Sequence, residues 1–153
     1  MNWGPVLVAL AVSIAAVGGV FLAFSAVVMP ALAHLPAVEA VKAMQQINLT
    51  VLRSVFLGLL MGTAFIALLL VFFCWKVPLV LGSAVLYLLG MFLVTVLLNV
   101  PLNEQLATLK AGSADLPTQW QHYLLNWNRW NHVRTVASLV SSLGFFMGAR
   151  SLA

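Results

Sequence analysis

Charge is what this chain has least of. Only 7% of its residues are Asp, Glu, Lys or Arg, three acids against seven basic residues, while 63% are hydrophobic. Soluble domains carry roughly a quarter of their residues as charges, so this composition cannot cover a water-exposed surface and reads as an integral membrane protein. The same scarcity removes nucleic acid as a partner, because the pI near 9.9 arises from dispersed residues with no basic run. Cysteine occurs once, at Cys74, away from every histidine, which excludes an internal disulfide and gives no thiolate metal site. Glycine-rich nucleotide motifs and His-x-x-x-His spacings are also missing, so no metal or organic cofactor is expected.

Apolar runs take the place of charge. Those over residues 4–33, 54–75, 78–98 and 133–149 approach or exceed the ~20 residues of a bilayer-crossing helix. The expected fold is all-α: one domain over residues 1–153, an integral membrane bundle of four antiparallel helices. Ala31-Leu32-Ala33 mimics a signal-cleavage site, but the run before it lacks a basic n-region and is about twice too long, so it is expected to stay attached. Val38, Val41, Met44, Ile47, Val51 and Val55 keep helical spacing with no breaker, which predicts a second helix unbroken from Pro36 to the end of its span. At about 1.5 Å per residue it outreaches a hydrocarbon core of about 30 Å. Pro117 suits the start of a fourth helix running to about Ala149, so helices two to four are expected to protrude on one side as a polar cap. The Trp75–Pro78 turn is short enough to make spans two and three antiparallel neighbours. Gly58/Gly62 and Gly144/Gly148, at small-xxx-small spacing, predict close packing inside the bundle or in a homodimer.

The polar residues are not scattered. Counting connections puts His34, Gln45, Asn48, Arg53, Asn99, Asn103, Glu104, Trp127, Asn131, His132 and Arg134 at one end, the mouth of the bundle. Ionisable groups at such a boundary are functional candidates. On a 3.6-residue period Trp120, Trp127, Asn131, Arg134 and Ser138 share one narrow arc, whereas His132 lies about 160° from Arg134. Arg134 falls about one residue inside the fourth apolar run, where an unpaired charge costs up to about 2.5–3.5 kcal/mol. Its expected partners are Glu104, the amide oxygens of Asn99 and Asn103, or the carbonyl that Pro101 frees one turn back.

Four ordered motifs carry a resemblance: Phe24-Ser25-Ala26-Val27-Val28-Met29-Pro30, Met44-Gln45-Gln46-Ile47-Asn48, Asn99-Val100-Pro101-Leu102-Asn103, and Trp127 through Ser138. Over nearly its whole length the chain resembles the anthrone oxygenase-like family of small four-span membrane proteins. The resemblance implies an oxygenase-like enzyme acting on a flat aromatic, anthrone- or hydroquinone-like, or other lipophilic molecule; polyketide-tailoring members oxidise anthrones to anthraquinones. Such chemistry needs a base, for which His132 or His34 titrates near neutrality. It also needs a stabilised oxyanion, which Arg134 with Asn131 or Asn103 could supply. Trp127 and Phe24 would stack the flat ring, with Asn48, Asn99, Asn103 and Glu104 completing the binding set. Two other classes fit the same residues. One is a quinone- or lipid-binding membrane protein without turnover; the other is a metal-dependent oxidoreductase using His34, His132, Glu104 and His122. A transporter is disfavoured, since the spans are apolar through their centres. Lys76 in the tight turn orients the termini to the cytoplasm and the mouth outward, in a bacterial inner membrane.

Overall fold

The computed structural model describes residues 3–151. Five helices follow one another through short turns: α1 (Gly4–Ala33), α2 (Ala37–Val51), α3 (Val55–Phe73), α4 (Pro78–Ala107) and α5 (Leu116–Ser151). No strand occurs among the described residues, and the fold is all-α as expected. Pro5 and Pro78 open α1 and α4, where the missing N–H would have had no helical partner.

Three helices, α1, α3 and α4, are long and apolar enough to cross a membrane, with mean hydropathies of 2.6, 2.7 and 2.4. Helix α5 is apolar on one side only. It buries Asn131, Arg134, Thr135, Ser138 and Ser141 while exposing Val136, Leu139, Val140 and Leu143. Its average hydropathy is lowered both by these buried polar groups and by exposed ones such as Gln119, Gln121, His122, Arg129 and His132. Phe65, Phe72 and Phe73 of α3 and Val12 of α1 are exposed too, an apolar surface far larger than soluble monomers show. The protein is a membrane protein.

Hydrogen bonds at both ends fix α1 and α5 as antiparallel: Ser142 Oγ donates to the Ala11 carbonyl at 2.8 Å, and Asn131 Nδ2 to the Phe21 carbonyl at 2.7 Å. Glycines let α5 approach α4. A Cβ on Gly148 would lie 2.7 Å from Val80 Cγ2, and one on Gly144 would overlap Ser83 Oγ. The Gly144/Gly148 pair therefore packs within the bundle, but Gly58 and Gly62 do not. Both are exposed on α3 with no atom within 4 Å of an added Cβ. Helix α3 is tied to α4 through Thr63 Oγ1 and Tyr87 Oη, 2.8 Å apart.

The second helix is not continuous. It breaks at Leu52–Ser54, where Ser54 adopts an extended backbone with φ −96° and ψ 156° and its hydroxyl donates to the Val51 carbonyl at 2.8 Å. A serine hydroxyl that takes a nearby carbonyl offers the chain an alternative to the helical ladder. Released from α3, α2 folds over the mouth, and Gln45 Nε2 caps the end of α4 by donating to Leu106 and Leu109 carbonyls at 2.9 and 3.3 Å. The cap thus has its own core of Met29, Met44, Leu106, Leu116 and Trp120, separate from the bundle core around Ile14, Ala67, Tyr87 and Phe145.

Two prolines distort the helices beside this cap. Residues Phe24–Val28 of α1 and Leu88–Leu93 and Thr95–Asn99 of α4 are π-helical; the first and the last lie just ahead of a proline, Pro30 or Pro101. A proline has no N–H to give the carbonyl four residues back, and its ring pushes that carbonyl aside; here those carbonyls, of Ala26 and Leu97, lie inside the widened turns. Single π turns of this kind recur at functional sites.

Candidate functional site

Between the two cores lies a buried polar layer, held by α5 and faced by the π turns that precede Pro30 and Pro101. Asn131, fully buried, organises it. Its Nδ2 donates to the Phe21 carbonyl at 2.7 Å and to Ser25 Oγ at 2.6 Å, and its Oδ1 accepts from Arg134 Nη2 at 2.7 Å. Arg134, only 5% exposed, reaches Thr95 Oγ1 with Nη1 at 3.4 Å. Its guanidinium carbon lies 4.3 Å from the centre of the Phe21 ring and 5.2 Å from that of Trp127. Aromatic faces attract a cation this close, more strongly once it is desolvated.

No carboxylate balances that charge. The three acids, Glu39, Glu104 and Asp115, are all exposed, and Arg134 Nε has no hydrogen-bond partner. The expected partners are engaged elsewhere. Asn103 Oδ1 accepts from Tyr123 Oη and Trp127 Nε1, both at 2.9 Å. Asn99, 1% exposed, donates to the Trp127 carbonyl at 3.2 Å and leaves its own Oδ1 unpartnered. Glu104 follows Asn103 by one residue, hence about 100° around the helix, and points to the exterior. Arg134 does face α4, but through Thr95 rather than through Glu104, Asn99 or Asn103.

Aromatic rings close the layer on the cap side. Phe24 meets Trp127 at 5.7 Å between centroids, and Tyr123 stacks on Trp120 at 5.6 Å and meets Trp127, tilted, at 6.4 Å. Burial raises the Tyr123 hydroxyl above its ordinary pKa, so it stays protonated and donating. Asn48 reaches toward this hydroxyl from α2, with its Nδ2 buried and lacking a hydrogen-bond partner.

The structure brings together Phe24, Asn48, Asn99, Asn103, Trp127, Asn131 and Arg134 of the expected set. It leaves out His34, His132 and Glu104, which are exposed. His132 is turned about 100° from Asn131 by the helix itself, and His34 Nδ1 pairs at 2.8 Å with the Pro30 carbonyl of its own helix. No group of three or more His, Cys, Asp or Glu residues that could hold a metal ion occurs among the described residues, so His34, His122, His132 and Glu104 do not converge. Tyr123, Thr95 and Phe21 join the layer without having been singled out in the sequence. Tyr123 precedes Trp127 by four and Thr95 precedes Asn99 by four, a spacing that could have flagged both; nothing distinguishes Phe21 from its apolar neighbours. Two clefts open in the cap, one of about 450 Å³ lined by Leu102, Gln105, Leu106, His122 and Tyr123 among others, the other of about 410 Å³ around Arg53. Neither is lined by Arg134.

Residues 49–144 match the profile of the family described as anthrone oxygenase. The chain belongs to that family. The matched segment runs from the end of α2 to Gly144 of α5 and includes Asn99, Asn103, Trp127, Asn131 and Arg134, while the α1 residues of the polar layer, Phe21, Phe24 and Ser25, precede it. Comparison with curated proteins and with solved structures gives no match.

Proposed function

We propose that the protein is a four-span, membrane-embedded oxygenase-like enzyme that acts at the bundle mouth on a flat aromatic, anthrone- or hydroquinone-like, without a metal or organic cofactor. The observation that carries this reading is Arg134: a buried cation with no carboxylate, set against aromatic rings and bonded to a fully buried amide. A preorganised charge in a dry site is worth most where negative charge develops. An anthrone loses a proton from its central CH2, and the charge of the resulting carbanion spreads onto the carbonyl oxygen, which Arg134 stabilises. The proton leaves to water at the mouth, since neither His34 nor His132 reaches the layer. The carbanion is oxidised by dioxygen, a C–O bond forms, and the hydroperoxide loses its second C–H proton and hydroxide as the O–O bond breaks. The products are a quinone carbonyl and one water. Phe24 and Trp127 receive the ring, and Asn48, Asn99 and Asn103 line the approach.

The test is oxygen consumption by the detergent-solubilised protein with an anthrone. The expected result is one dioxygen used and one anthraquinone formed per anthrone, with Arg134→Gln lowering the rate at least tenfold. A second reading, binding of a quinone or lipid without turnover, is favoured by the lack of an imidazole in the polar layer. Saturable anthraquinone binding without oxygen consumption would select it. The positive charge of Lys76 in the α3–α4 turn supports termini in the cytoplasm and a cap facing outward.

A further inference from the structure

Arg134 poses a question of charge that the protein's own residues do not answer. Every ionisable group packed near it is neutral or distant. Tyr123, the titratable side chain that feels its charge, spends its proton on Asn103 Oδ1. His34, His122, His132, Lys42, Arg53, Lys110 and Arg129 are exposed, as are the three acids. An arginine stays charged in proteins, and burying an unpaired charge is among the most unfavourable arrangements a fold can adopt. The protein nonetheless builds around it with care: one Nη has a 2.7 Å amide partner, two aromatic rings lie within 5.2 Å of the guanidinium carbon, and Nε–H is left buried and free.

We infer that the mouth binds its flat ligand as the conjugate base, an aromatic phenolate or enolate oxygen serving as the counter-ion that Arg134 lacks. The inference rests on the reading of the mouth as the ligand site but not on turnover. Planarity follows from the surroundings: the neighbours of the guanidinium are aromatic rings, Phe21 at 4.3 Å and Trp127 at 5.2 Å, with Phe24 packed tilted against Trp127, a lining that suits a flat ring and that a compact inorganic anion would leave unused. Oxyanion character follows from Nε–H, whose in-plane donor suits an oxygen lone pair. Binding then favours ionisation of the ligand, because the protein gains a paired charge in the bound anion and nothing comparable in the neutral form.

The probe is 2-hydroxyanthraquinone, whose phenol and phenolate absorb at different wavelengths and whose central ring is already fully oxidised. Bound to the whole protein in neutral detergent, below the pH at which the free probe ionises, it should show the phenolate spectrum, its apparent ionisation constant raised at least tenfold. The non-ionisable 2-methoxyanthraquinone should bind at least tenfold more weakly. Thr95→Asp, which places a carboxylate beside Arg134, should abolish the spectral shift, as should Arg134→Gln. Equal binding of the hydroxy and methoxy probes to the unaltered protein would overturn the inference whether or not the variants fold, and so would a phenolate spectrum that survives Arg134→Gln. Excess chloride tests the alternative occupant: unchanged binding is expected, and competition that removes the probe would mean a small-anion site instead. Phenolate binding without oxygen consumption on anthrone would sink the oxygenase reading and leave this one standing.

Discussion

Asn131 and Arg134 form a unit in which each explains the other. The amide of Asn131 ties the π turn of α1 to α5 and at the same time offers its only acceptor to the guanidinium. Asn131→Ala takes the amide acceptor from Arg134 Nη2, and a buried group left unsatisfied costs about 1–3 kcal/mol. The variant is expected to unfold earlier in denaturant by at least that much. The histidines should behave in the opposite way. His34→Ala and His132→Ala are expected to keep oxygen consumption within about twofold of the parent with an unchanged pH profile. General-base removal ordinarily lowers rates by about 10²–10⁴, so a loss of that size in either variant would mean that an exposed imidazole takes the proton after all.

At the scale of helices, the glycine pairs and the prolines do different work. Gly144 and Gly148 exist so that α4 can come close; Gly144→Val should destabilise the bundle by about 1–3 kcal/mol, the usual effect of overpacking. Gly62→Val, on the open face of α3, should leave the unfolding midpoint of the monomer unchanged. Pro101 follows directly on the π turn that carries Thr95 and Asn99 to the polar layer. Pro101→Ala restores a donor for the Leu97 carbonyl and is expected to hold or raise thermal stability while lowering oxygen consumption, because Asn99 and Thr95 rotate away from Trp127 and Arg134. Lower activity together with lower stability would show that the proline serves the fold alone.

The molecule as a whole is a bundle with a lid of its own making. Helix α2 crosses the mouth and, with the ends of α1, α4 and the first turns of α5, forms a second small core, which covers the polar layer on the side where a protruding helix would have left it open. Orientation is testable at this scale. In a Cys74→Ala background, Ser113→Cys in the α4–α5 loop should react with an impermeant maleimide in intact cells and Lys76→Cys only after permeabilisation; the reverse pattern would place the cap in the cytoplasm.

Composition and periodicity alone determined the membrane class, the all-α fold and the inward stripe of α5, because hydropathy and the 3.6-residue repeat are local properties of the chain. The grouping of Asn99, Asn103, Trp127, Asn131 and Arg134 at one end was also legible, since antiparallel connections fix which ends meet. Tertiary structure decided the rest. Gly58/Gly62 and Gly144/Gly148 look alike in sequence, and only packing assigns one pair to α4 and the other to the outside. The break at Ser54 lies in a run with no helix breaker, and α2 leaves the line of α3 because the cap core and the bonds of Gln45 hold it across the mouth. The same limit governs Arg134: spacing sets its angle on α5, but whether Glu104 or Thr95 answers it depends on how far α4 is rotated along its two π-helical stretches.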